Sequence, residues 1–315
     1  MIIRWLPLLT SLLLFARVSA AEPLRVLLWN VQRGANYFED GPEKTVKVIR
    51  DSKADIVLMQ ESYKNYRLGV KLGPWVAGEL GWHSYQGDSD HLCVLSRFPI
   101  AETFYYSSYH GIGARIRAAE GKEFLAWACW IDYRANVSQR LIDRPESTVD
   151  ELLACETKES SRTKETLDLI AHLKKTGHLD TKLPLLVAGD WNSPSHLDLG
   201  ESTKDLHGGK VIPIPGTIAF EKEGFMDAYR RIFPDVRQHP GLTWSPLQKV
   251  NGDAGKEEAQ ARIDRLYVRN AGLRPTAARI FPEQEENPGI PQSQRKFPSD
   301  HAALLIELEW EDAAP

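Results

Sequence analysis

The run Leu185-Leu186-Val187-Ala188-Gly189-Asp190-Trp191-Asn192 ends an apolar stretch on a carboxylate and places an amide two residues later. A short apolar run bounded by turn residues predicts a strand buried on both faces. A carboxylate at the end of such a strand needs a partner, because burying an isolated charge is costly. The same arrangement recurs along the chain. Asn30 follows Val26-Leu27-Leu28-Trp29, and Glu61 follows Ile56-Val57-Leu58-Met59-Gln60. Asp264 stands ahead of Leu266-Tyr267-Val268, and Asp300-His301 ahead of Leu304-Leu305-Ile306. Five such ends converging on one sheet edge would form a site for a hard cation and a phosphate. That pattern points to metal-assisted phosphoester hydrolysis.

Around these ends the chain alternates strand-like runs with longer helical or polar segments. Strands are expected at 24–29, 55–60, 92–96, 183–188, 262–268 and 303–310. Antiparallel neighbours are expected at 104–106, 112–117 and 124–131. Residues 44–52 read as an amphipathic helix, as do 163–175, where Leu167, Ile170 and Leu173 are expected on one face. A short helix is expected at 217–223. The segments 136–159, 249–260 and 283–298 are polar, or rich in Pro and Gln, and read as irregular. Long loops beside a site often set specificity, and equally often are plain solvated insertions.

Residues 1–20 form a separate signal. Arg4 precedes an apolar run, and Val18-Ser19-Ala20 stands before Ala21. This is the pattern of a secretory signal peptide, and the run is short for a membrane span. The expectation is a signal peptide at 1–20 and one domain at 21–315, secreted or periplasmic and monomeric. No later stretch is long and apolar enough to span a membrane. Removing Arg4 and Arg17 takes the formal charge of the 315-residue chain from −4 to −6. There is no block of Lys or Arg, which weighs against a tight nucleic-acid binder but leaves room for a nuclease with a local basic rim. Cys93, Cys129 and Cys155 match no zinc spacing. Their odd number leaves at least one thiol free, and Cys93 and Cys129 read as small core residues.

Taken together, Trp29-Asn30, Gln60-Glu61, Leu95-Ser96-Arg97-Phe98-Pro99-Ile100, Gly189-Asp190-Trp191-Asn192, Arg262-Ile263-Asp264 and Ser299-Asp300-His301 resemble the ordered motifs of the endonuclease/exonuclease/phosphatase superfamily. This is the family of DNase I, apurinic endonucleases, neutral sphingomyelinases and inositol phosphatases. A narrower likeness, in 192–198, 223–230 and 239–244, is to secreted members whose substrates are poorly characterised. The resemblance implies a four-layered α/β sandwich of two mixed β-sheets flanked by helices, with the site among loops at one end.

The resemblance also implies roles. Asn30, Glu61 and Asp300 would hold the metal, Mg²⁺ or alternatively Mn²⁺ or Ca²⁺, all suited to hard oxygen donors. Asp190 would orient or deprotonate the attacking water, and Asn192 would donate to a phosphate oxygen. Gly189 would allow a close backbone approach. His301 and Asp264 would form an acid–base pair in which the carboxylate fixes the imidazole. His196 and Asp198 are candidates for rim or loop-stabilising roles.

One position departs from the family pattern. Ala128-Cys129-Trp130-Ile131-Asp132 places Trp130 where many members carry a second His. Indole donates one hydrogen bond and cannot trade protons. Either the metal alone stabilises the leaving oxygen, or His91, His110 or a residue of 283–298 replaces the donor, or the protein binds without efficient turnover. The leading expectation is a secreted metal-dependent phosphodiesterase. Its phosphoester substrate would be a small molecule, or a lipid or sugar diester, with Tyr105, Tyr106, Tyr109 and Trp244 either lining its pocket or simply packing. The alternatives are an extracellular DNase or RNase, in which nucleic acid is the partner, and a phosphoryl-ligand-binding pseudoenzyme.

Overall fold

In the computed structural model, residues 22–118, 121–246, 249–251, 256–270, 272–284 and 289–311 are described, so the expected signal peptide lies outside them. Fourteen strands occur among these residues: β1 Leu24–Asn30, β2 Ile56–Gln60, β3 His83–Tyr85, β4 Cys93–Ser96, β5 Ile100–Ser107, β6 Gly111–Arg117, β7 Glu123–Trp130, β8 Leu185–Asp190, β9 Met226–Asp227, β10 Val250–Asn251, β11 Lys256–Glu257, β12 Asp264–Arg269, β13 Leu273–Phe281 and β14 Ala303–Trp310. Twelve of them build two six-stranded sheets, ordered β13-β14-β1-β2-β4-β3 and β5-β6-β7-β8-β12-β9.

Each sheet carries one central parallel pair, β1 with β2 and β7 with β8, inside otherwise antiparallel pairing. This places the ends of β1, β2, β7 and β8 and the starts of β12 and β14 at one edge. In register terms, Asn30 lies opposite Gln60, Trp130 opposite Asp190, and Asp264 opposite Asp190.

Alternation along the strands makes three apolar layers. Val26, Leu28, Ile56, Leu58, Ala126, Ala128, Leu186, Ala188, Leu304 and Ile306 face inward and fill the space between the sheets. Leu27, Trp29, Val57 and Met59 point out against helices Gly41–Ser52 and Leu72–Leu80. Trp127, Cys129, Leu185 and Val187 point out against helix Arg162–Lys175 and Phe220. The result is the α/β/β/α sandwich that the motifs imply. Burying one Leu or Ile in these layers contributes about 1.5–3 kcal/mol.

Three expectations are corrected. On helix Arg162–Lys175 the buried stripe is Arg162, Thr166, Leu169, Ile170 and Leu173, and Leu167 is exposed. Leu169 and Leu173, four apart, set the face, and Leu167 falls outside it. The segment 136–159 is not an irregular loop. It forms helices Val137–Asp143 and Val149–Thr157, the first capped by Asn136 and the second by a Thr148–Glu151 capping box. Segment 249–260 carries the short β10–β11 pair. All three cysteines are buried and free.

Candidate active site

At the shared edge, Asn30 connects the two sheets. Its Nδ2 donates to Glu61 Oε1 at 3.1 Å and to Asp190 Oδ2 at 3.0 Å, while its Oδ1 accepts from the Gln32 N–H at 3.0 Å. Glu61 leaves β2 in the left-handed region, at φ 57°. Its Oε2 accepts from the Arg33 N–H at 2.7 Å. Asp300 sits across the cleft. Its Oδ2 accepts from Gln32 Nε2 at 2.6 Å, and its buried Oδ1 has no hydrogen-bond partner among the described residues. Gln32 was not anticipated from the sequence, although its place two residues after Asn30 was a usable signal. Segment 283–298 reaches this group through Gln292, which donates to Gln32 Oε1.

The proton-handling groups lie on the second sheet and at the start of β14. His301 Nδ1 is 2.9 Å from Asp264 Oδ2, and Nε2 is 3.8 Å from Asp190 Oδ2. Ser299 fixes this turn by donating to the Asn30 carbonyl and accepting from the His301 N–H. Burial alone would depress His301, but the Asp264 and Asp190 carboxylates push it up to about 10. Burial pushes Asp190 up to about 7 against the opposing charge of His301. Burial likewise raises Asp300 to about 6, with Glu61 adding to the effect. With both carboxylates against it, the imidazole is pushed toward its protonated form, the imidazolium that Asp264 is placed to stabilise. Asn192 lies two residues beyond the end of β8. It turns at φ 49°, its N–H donates to Asp190 Oδ1, and its Nδ2 donates to the Ile131 carbonyl. An amide nitrogen carries two hydrogens, so one remains for a ligand.

A cavity of about 590 Å³ opens over these groups. Tyr37, Tyr63, Tyr109, Trp130, Tyr133 and Trp244 line it, with Arg33 as the one Lys or Arg in its wall among the described residues. Tyr109 and Trp244 thus line the site, whereas Tyr105 and Tyr106 do not. Trp130 stands at the end of β7 beside Asp190, so the wall holds indole where an imidazole was expected. Neither His91 nor His110 reaches the cavity. His91 is buried behind Trp130, and His110 Nδ1 contacts the Trp130 carbonyl and lies 3.6 Å from Glu165.

Two candidates lie outside the site. His196 is held by Thr217 and Glu221. Asp198 is buried between Arg230 and Arg262, whose charges hold its carboxyl below the usual range despite burial. Both stabilise the turn after β8. Gly189 does need to be glycine, because a Cβ there would meet Cys129 on β7. The close approach seen here is between β8 and β7.

The residues fit a divalent cation. Glu61 and Asp300 are carboxylates, and among the described residues the buried Asp300 Oδ1 is an acceptor without a donor. Asn30 turns its N–H₂ group to Glu61 and its oxygen to Gln32, so it orients Glu61 and does not face a cation with its oxygen. Asp190, Asp264 and His301 also cluster closely enough to hold an ion. The direct His301–Asp264 hydrogen bond favours a proton relay there instead, and hard cations prefer oxygen to imidazole.

A two-sheet sandwich with this edge defines a phosphoester-cleaving hydrolase of the phosphodiesterase or nuclease type. The chain belongs to the Endonuclease/Exonuclease/phosphatase family, whose model matches residues 27–301. Enzymes of this family are generally dependent on a divalent metal. The chain is 31% identical over 303 residues to the uncharacterized protein F14F9.5 of Caenorhabditis elegans, covering 93% of each. Among solved structures, it shares its fold with the human Nocturnin catalytic domain with bound sulfate (TM-score 0.55, 16% identity, 92% and 95% of the two chains). It also shares it with D. rerio TDP2 complexed with a single-stranded DNA product (TM-score 0.54, 15% identity, 91% and 99% of the two chains).

Proposed function

We propose that this protein is a metal-dependent phosphodiesterase acting on a small diester with an apolar or aromatic substituent. The observation that carries this reading is the Asn30 bridge. It ties Glu61, on the cation side, to Asp190, on the water side, under an aromatic-walled cavity.

Glu61 and Asp300, with Asn30 orienting Glu61, would hold a divalent ion, which would supply positive charge beside the phosphoryl group. The chain's own residues do the rest. Asp190, with its carboxyl raised towards neutrality, takes the proton from the attacking water. Asp264 holds the His301 Nδ1–H, which directs Nε2–H toward Asp190 and the cavity. The imidazolium then offsets negative charge as it develops on phosphate. The second Asn192 N–H is available to a phosphate oxygen. Trp130 offers no proton to the leaving oxygen, which favours a leaving group that departs as a stable anion.

A long nucleic acid needs several cations along its backbone, and among the described residues the cavity wall offers Arg33 alone. The six aromatic side chains instead suit a flat or apolar group. The pattern in residues 1–20 supports export, so the working location would be periplasmic or extracellular. The test is release of p-nitrophenol from bis-p-nitrophenyl phosphate with Mg²⁺, Mn²⁺ or Ca²⁺ against EDTA. Metal-dependent release supports the reading. Its absence with all three ions, in folded protein, would move the account to a binding protein.

A further inference from the structure

We propose that His91 is a positioning residue that fixes Glu61 as a metal ligand through the main chain. The proposal rests on the reading of Glu61 given above.

Glu61 occupies a left-handed conformation, which costs an ordinary residue about 1–2 kcal/mol. Such a conformation persists only where its surroundings hold it. Here the chain turns sharply out of β2, and the amides of Glu61 and Ser62 fall outside the ladder. One residue satisfies both. The Glu61 N–H donates to His91 Nδ1 at 3.2 Å, and the Ser62 N–H donates to the His91 carbonyl at 2.7 Å. The Glu61 carbonyl, in turn, accepts from Gly34 and Tyr63. The carboxylate is therefore aimed at the cleft by a backbone gripped on both sides.

The imidazole is itself held firmly. It is fully buried, stacked on Tyr63 at 5.2 Å, tilted against Tyr109 at 4.9 Å and edge-on to Trp130 at 5.5 Å. Since Nδ1 accepts a hydrogen bond, the ring proton sits on Nε2. That nitrogen is buried against the main chain of Tyr109. A phenyl ring would fill the same space, but it would leave the buried Glu61 N–H without its acceptor, at a cost of about 1–3 kcal/mol. Trp130 and Tyr109 both line the cavity, so the ring also joins the substrate wall to the metal side.

The experiment is calorimetric titration of Mn²⁺ into the wild-type protein, His91→Phe and His91→Asn, each checked for folding. Phe keeps the ring and removes the acceptor, whereas Asn restores an acceptor near the Nδ1 position. Residues that orient a metal ligand typically change metal affinity by about 10- to 100-fold. His91→Phe is expected to weaken Mn²⁺ binding by about that factor, and His91→Asn to bind close to wild type. Equal affinity in all three overturns the proposal, as does equal weakening in both variants. No Mn²⁺ binding by the wild type would remove the Glu61 reading itself, and this proposal with it. Should His91→Phe not fold, ¹⁵N spectra of labelled histidine in the wild type decide the point. An unprotonated Nδ1 on His91 supports the clamp, and a protonated Nδ1 overturns it.

Discussion

The Asn30 side chain donates to Asp190 across the gap between the two sheets, at 3.0 Å. Asn30 ends β1 and Asp190 ends β8, so a single hydrogen bond joins the central strands of both layers at the working edge. A donor to the ionised carboxylate favours ionisation and so counteracts part of the burial effect that lifts Asp190 to about 7. In Asn30→Ala that help is lost. The acid limb of the pH–rate profile is expected to move to higher pH, with turnover at pH 7 lowered by up to about tenfold for each pH unit of that move. A profile superimposable on the wild type would show that Asp190 is not the base.

His301 gives a stability prediction of definite sign. Its folded-state value is raised from the ordinary 6.5 to about 10 by Asp264 and Asp190. The native state then binds the proton more tightly than the unfolded chain. The stabilisation is fully present below about pH 6.5 and is lost as pH rises through about 10. In EDTA, the melting temperature of the wild type relative to His301→Gln should therefore fall steadily between those limits. A difference that is flat with pH, or that grows, would contradict the ion pair.

Trp130 separates two accounts of the leaving group. Assistance by a general acid is worth about 10²–10⁴ in rate. If the enzyme lacks that acid, Trp130→His should speed hydrolysis of a diester with a poor alkoxide leaving group more than one releasing p-nitrophenolate. Unchanged or slower turnover on both would mean that the indole is a wall the reaction needs.

Much of this edge was legible in the sequence because its strands are short, apolar and end on polar residues. Asn30, Glu61, Asp190, Asn192, Asp264, Asp300 and His301 all meet there. Other elements were hidden for physical reasons. Helix Leu72–Leu80 begins Leu-Gly-Pro and has little amphipathic contrast. β13 contains Pro275, which argues against a central strand, and it lies at a sheet edge where proline is tolerated. Helices Val137–Asp143 and Val149–Thr157 are polar, yet Thr148-Val149-Asp150-Glu151 spells a capping box that marked the second of them. Gln32 and His91 act through partners distant in sequence, Asp300 and Glu61, and the one local signal was Gln32's place two residues after Asn30.

Asp198 tests the distinction between scaffold and chemistry. It neutralises Arg230 and Arg262, both buried, and Asp227 faces Arg262 from the other side at 2.8 Å. Removing one partner of a buried ion pair costs about 3–5 kcal/mol. Asp198→Ala should lower the denaturation midpoint accordingly while leaving the Mn²⁺ affinity of the folded fraction unchanged. A stable variant with altered metal binding would place Asp198 in the site.

The central claim is a division of labour, with Glu61 on the cation side and Asp190 on the water side of the Asn30 bridge. The most direct test measures Mn²⁺ affinity and bis-p-nitrophenyl phosphate turnover together in Glu61→Gln and Asp190→Asn. The account predicts that Glu61→Gln loses both, while Asp190→Asn binds Mn²⁺ nearly as the wild type does and loses turnover. Glu61→Gln binding Mn²⁺ normally, or Asp190→Asn turning over normally, would contradict it.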